Sequence, residues 1–217
     1  MKAQFFLIPM LLFSSLFYAS DTIKVDSLKP RVVGFSPSKN VRNVNGVLFK
    51  YFEEEEYFIP KKVNGLGIGG NFLGVFFPAL LFFNLPDAIS KGSLNDDYEV
   101  VPENKMNKIN GVQLSLINME PTVTNGLEIN VSSNLNTYAI TNGVAVSPLY
   151  NLHHEIKGVS VAPFANVGQK CRGLQIGLYN SCKDFRGIQI GAWNENGKRK
   201  LPFINWNFKK QKINVNP

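Results

Sequence analysis

Few residues of this 217-residue chain have the type and spacing that bond-making or metal binding requires. His153, His154 and Glu155 stand together in NLHHEIKG, and these are the chain's two histidines. A zinc-type site needs three or four ligands converging on one point. Adjacent side chains of an extended segment point apart, and no third ligand follows at a suggestive interval, so a surface turn is expected there. Glu53 to Glu56 are carboxylates that could hold a hard cation. Such a site wraps its oxygens around a sharp turn, usually with glycine. The run has no glycine and is flanked by Tyr51, Phe52, Tyr57 and Phe58, which reads as a solvated hairpin tip. Asp96 and Asp97 are neighbours and face opposite ways in an extended chain, a poor layout for paired acid–base work. No G-x-S-x-G or H-E-x-x-H pattern occurs. Cys171 and Cys182 flank a single strand-like copy, whose extended backbone would hold them beyond the roughly 7 Å Cα limit of a bridge. Free thiols are expected. The residues therefore call for no catalytic group, no metal and no cofactor.

The elements around these residues are of one kind. Eight copies share a polar residue, a glycine and then alternating apolar residues. Their glycines are Gly46, Gly65, Gly111, Gly126, Gly143, Gly158, Gly173 and Gly187. The last six are spaced by 15, 17, 15, 15 and 14 residues. The two sharpest copies are RGLQIGLYN (172–180) and RGIQIGAWN (186–194). Leu174, Ile176 and Leu178 fall on one face of the copy, and Gln175, Gly177 and Tyr179 on the other. A period of two with aliphatic residues predicts a strand. Asn118, Asn180 and Asn194 close their copies seven residues after the glycine. Where Pro148 or Pro163 occupies the fifth position, the asparagine moves one residue later, to Asn151 or Asn166. A bulge that absorbs one residue is expected at each proline, because proline cannot donate to a ladder.

One copy cannot stand alone. Three buried aliphatic side chains contribute roughly 5–9 kcal/mol, whereas ordering about fifteen residues costs roughly 15–30 kcal/mol. Copies must share faces and backbone hydrogen bonds, which leaves three all-β arrangements. A parallel β-solenoid stacks one coil per copy and aligns each glycine and asparagine into a column. An antiparallel meander alternates them between opposite ends. An outer-membrane barrel of about eight strands needs strands near ten residues long, with short turns alternating with long loops. Uniform polarity, even spacing and copies of about eight residues favour the solenoid.

Export is written at the start of the chain. Lys2 followed by the apolar run Phe5–Phe17 and the small residues Ala19 and Ser20 has the layout of a signal peptide over residues 1–20. The run is too short to span a bilayer. The rest, 21–217, reads as a single β-repeat domain, with copies over about 41–196. An apolar insertion at 71–86 (NFLGVFFPALLFFNLP) reads as a flap capping the open end of the array, with insertion into a membrane or a partner as the alternative, and a polar loop follows at 87–108. Charged residues make up 18%, below the usual quarter, which suits an extracytoplasmic β protein. The net charge is +7. Its densest part surrounds a capping strand at 197–208, where Lys198, Arg199, Lys200, Lys209, Lys210 and Lys212 could contact an anionic glycan or headgroup. No arginine cluster interleaved with aromatics speaks for nucleic acid.

The copies NGVQLSLIN, RGLQIGLYN and RGIQIGAWN, with the closing GKRKLPFINWNF, resemble a family of bacterial surface-repeat proteins. Its members carry tandem GLQIGLxN-type units behind a signal peptide and occur in Gram-negative bacteria. The resemblance covers roughly 40–208, is sharpest over 172–208, and departs at Pro148 and Pro163. It implies an exported protein of the periplasm, outer membrane or cell surface, and it brings no catalytic residue. The expected function is a non-enzymatic envelope or surface protein whose repeat scaffold serves interaction with envelope components, anionic glycan or membrane. A small outer-membrane barrel is the alternative, followed by a polysaccharide-acting enzyme on a β-helical scaffold. Alternation assigns Gln113, Ser115, Glu128, Asn130, Ala145, Ser147, Ser160, Gln175, Gly177, Gln189 and Gly191 to the outward side, and that side is nearly free of charge, which argues against catalysis.

Overall fold

A computed structural model of the chain describes residues 29–36, 38, 40–50, 59–69, 101–118 and 120–209. The signal-like leader, Glu53–Glu56, the apolar insertion 71–86, Asp96, Asp97, most of the loop 87–108, and Lys210 and Lys212 lie outside them.

The alternating copies form strands that stack in sequence order as a parallel β-solenoid. They are β1 (Arg31–Ser36), β2 (Asn43–Lys50), β3 (Lys62–Gly69), β4 (Asn107–Asn118) and β5 (Thr122–Asn134). Then come β6 (Ile140–Val146), β7 (Tyr150–Val161), β8 (Ala165–Ile176), β9 (Tyr179–Asn196) and β10 (Arg199–Asn207). Each pairs with the next in one ten-stranded sheet. All pairings are parallel until β10, which turns back antiparallel along β9. Neither a meander nor a barrel describes this order. A short 3-10 turn, Glu103–Lys105, leads into β4.

The glycines hold the coils in register. Gly46 pairs with Gly65, Gly65 with Gly111, and so on without a slip to Gly187. Every one has φ between 125° and 152°. A Cβ at any glycine from Gly65 onward would fall inside van der Waals contact of the carbonyl oxygen of the glycine one coil before. The strand bends here, and only a residue without a side chain lets the coils come this close.

The prolines lie in corners, not in bulged strands as expected. Strand β6 ends at Val146 and β7 at Val161, so Ser147–Leu149 and Ala162–Phe164 are three-residue corners. The copy that begins at Gly173, which has no proline, turns on two residues, Gly177 and Leu178. The additional residue is taken up where no ladder bond is needed from proline.

The cysteines also differ from expectation. Cys171 and Cys182 form a disulfide, with Cα atoms 6.3 Å apart. The free-thiol expectation treated 171–182 as one straight run. The chain instead bends at Gly173 and turns at Gly177–Leu178, so β9 comes back beside β8 and Cys182 pairs with Gly168. Gly168 has no side chain because a Cβ there would come within 2.6 Å of Cys171 Sγ. The native protein is expected to weigh about 2 Da less than the reduced one and to resist alkylation until reduced. Replacing both cysteines by serine is expected to lower stability by about 2–3 kcal/mol in urea titrations.

Candidate functional site

Alternation along a strand defines two faces but not which one is inside. The structure places the amides and small residues inside and the aliphatics outside, the reverse of the expected assignment. Gln113, Glu128, Ala145, Ser160, Gln175 and Gln189, each two residues after its glycine, are buried. So are Ser115, Asn130 and Ser147, four residues after it. Gly177 and Gly191 occupy the same inward row, where a Cβ would crowd Asn166 and Asn180.

The physical reason is the coil length. The interior already holds one row of larger apolar residues two positions before the glycines, Val44, Val63, Ile109, Ile156 and Phe185 among them. A coil of about fifteen residues packed at interior density leaves the rows after the glycines to smaller and amide side chains. Amides suit it because they stack. Asn151 Nδ2 donates to Asn166 Oδ1 at 3.3 Å, Asn166 to Asn180 at 2.9 Å, and Asn180 to Asn194 at 2.8 Å. The same nitrogens cap corner carbonyls, as Asn180 does on Ile190 at 2.9 Å. Gln189 Nε2 donates to Gln175 Oε1 at 2.8 Å. Asn118, Asn180 and Asn194 are thus lumen residues that close each coil. A second ladder runs through the column before the glycines, with Asn64, Asn110, Asn125 and Asn142 each donating to the preceding Asn at 2.7–2.8 Å. Lys157, Arg172 and Arg186 continue that column.

One acid–base pair is sealed in the lumen. Glu128 accepts from Thr141 Oγ1 at 2.6 Å, Asn118 Nδ2 at 2.9 Å and Asn134 Nδ2 at 3.0 Å. His153 Nε2 lies 3.4 Å from its Oε2. Burial alone would push this carboxyl up, but the His153 hydrogen bond and charge, with Thr141 and Asn118, outweigh it and hold the pKa at about 2. His153 is therefore buried in β7, not part of a surface turn, and His154 is half-buried beside it.

Among the described residues, the cations around the capping strand differ in their surroundings. Arg199 lies over the Trp206 ring at 4.7 Å and donates to Asn205 Oδ1 at 2.9 Å. Lys200 pairs with Glu195 at 2.9 Å. Lys198 and Lys209 are exposed.

The outer flank is the feature that alternation did not reveal. Two rows cross all ten strands. The first starts at Val33, ends at Trp206, and holds valine, leucine or isoleucine on every strand between. The second runs from Phe35 and Phe49, whose rings stack at 5.4 Å, through Ile68, Leu114 and Ile176 to Ile204. Neither row contains a polar or charged residue. A third column at the next corner, from Leu116 and Val131 through Pro148, Pro163 and Leu178 to Ala192, is exposed and apolar throughout. Among the described residues no element packs over this flank: Phe35 is 57% exposed, Ile190 42% and Trp206 48%. The sequence did carry a signal for it, because from Gly65 onward the second and fourth positions after the glycine hold, Glu128 apart, small or amide side chains, which suit the inside of a closely packed coil.

These observations define a short parallel β-solenoid whose interior combines amide ladders with the apolar clusters of Val44 with Ile109 and of Ile156 with Phe185, and whose outer flank is apolar and charge-free. Comparison with protein-family models, with curated proteins and with solved structures finds no match.

Proposed function

We propose that this chain is a non-enzymatic protein of the bacterial cell envelope or surface, whose solenoid presents its apolar flank for interaction. The two unbroken rows carry this reading. An exposed apolar area larger than a few hundred Å² is costly in water, and such areas mark places where a partner sits. Export is supported by the signal-like leader and by a disulfide, which persists in an oxidising compartment. The acid–base pair Glu128–His153 speaks for a scaffold, because both side chains are buried and engaged in the lumen network.

The test is site-specific photo-crosslinking in cells that export the protein. A benzophenone side chain at Ile176, on the flank, is expected to give adducts with protein or lipid. The same group at Lys170, outside the apolar rows, is expected to give none. Equal yields at both positions, or no adduct at Ile176, would overturn the reading.

A further inference from the structure

We infer that the occupant of the apolar flank is a second copy of this chain, docked face to face; the inference rests on the flank being the interaction surface. Three observations point to it. The first is size. Two outward positions on ten strands about 4.8 Å apart and a third on six of them, each position taking about 7 Å along the strand, give a footprint on the order of 800 Å² per copy. That is close to the roughly 800 Å² per partner of a standard protein interface.

The second is the lattice of side chains. The rows stand in strict register from β2 to β9, so the flank is a regular grid with the strand spacing as its period. A grid of that period is matched along its whole length by another like it. Dry interfaces between identical sheets interdigitate in this way, at about 10 Å separation. A lipid surface offers no such period.

The third is charge. Burying the two rows leaves no unpaired ion behind, because none stands in them, and an unpaired buried ion is what most often forbids a close contact. The polar column lies at the rim: the Asn45–Asn142 ladder bonds to itself, Lys157 is exposed, Arg172 pairs with Asp184, and Arg186 is half-buried. A two-fold pair uses the flank once on each copy, so the assembly closes at the dimer.

The purified protein, with its leader removed by export and its disulfide intact, is measured by sedimentation velocity and light scattering without detergent. Across roughly 1–100 µM it is expected to weigh twice the chain mass. Val144→Lys and Ile176→Lys, both at positions 37% exposed, place a charge in the contact. Each is expected to weaken the dimer at least about 100-fold while leaving the circular dichroism spectrum unchanged. Lys170→Glu is expected to leave it intact. Carbene footprinting of the unmodified protein gives the same answer without a variant: labelling of Val144 and Ile176 falls as concentration rises. A monomer at every concentration, or a dimer indifferent to both lysines with unchanged footprinting, would overturn the inference. A monomer that floats with vesicles of phosphatidylethanolamine and phosphatidylglycerol would also overturn it, yet would leave the flank as the interaction surface. A monomer that gives no Ile176 adduct in cells would remove both.

Discussion

Replacing Gly158 by valine is expected to break the solenoid at its middle. Gly158 has φ +138°, a conformation that costs an L-residue about 1–3 kcal/mol. The added Cβ would also overlap the carbonyl oxygen of Gly143 one coil before, and backbone cannot rotate away as a side chain does. Relief requires the two coils to separate, which takes with it the ladder from Ile140–Glu155 to Val146–Val161. A loss of more than about 3 kcal/mol follows, against the 5–15 kcal/mol that holds a typical domain. Stability in a stack is a sum over neighbours, so the two halves then unfold apart. Urea titration followed by circular dichroism is expected to show a midpoint shifted down and a broadened or split transition. A variant with the wild-type midpoint and slope would mean that the glycine column does not set the coil spacing.

Removing the Glu128 carboxylate is expected to cost about as much, for a different reason. Glu128→Ala leaves Asn118, Asn134, Thr141 and His153 without their shared acceptor in a site that water does not reach. Breaking a buried pair from one side typically costs about 3–5 kcal/mol. The same carboxylate predicts an acid response. Its folded pKa of about 2 lies below the ordinary 4.5, so the folded state binds this proton more weakly than the unfolded state. The resulting stability is fully present above pH 4.5 and is lost as pH falls through 4.5 toward 2. Its size is on the order of 3 kcal/mol. Thermal melts from pH 6 to pH 2 should show Tm falling most steeply in that window, and Glu128→Gln should flatten that part of the profile. A profile unchanged by Glu128→Gln would place the acid response elsewhere.

Much of the architecture was legible in the chain because it is repeated. Gly111, Gly126, Gly143, Gly158, Gly173 and Gly187 recur at nearly one interval, and each of these six copies runs from glycine to asparagine. That polarity is what distinguishes a parallel stack from an antiparallel one, and the structure has the parallel stack. The two faces of each copy were equally legible, since Leu174 and Ile176 alternate with Gln175 on any strand.

The sense of those faces was not. Hydrophobicity alone places leucine and isoleucine inside, and the structure places Gln175 and Gln189 there. The larger interior row is already filled by residues such as Ile109, Ile156 and Phe185 two positions before the glycines, and the amides after the glycines recover their hydrogen bonds by stacking along the axis. Cys171 and Cys182 were misread for a related reason. Separation along the chain says nothing about a coil that closes on itself, and the corner at Gly177–Leu178 returns Cys182 to Cys171. His153 followed the same pattern: its partner Glu128 lies in β5 and reaches it only through the stack.

By itself, the sequence determined strand, period, polarity and register, because each is a property of neighbouring residues repeated at a constant interval. Only the tertiary structure decided what lies inside. Lumen width and corner geometry belong to the closed coil, and they send the amides and the disulfide inward and leave the aliphatic rows facing out.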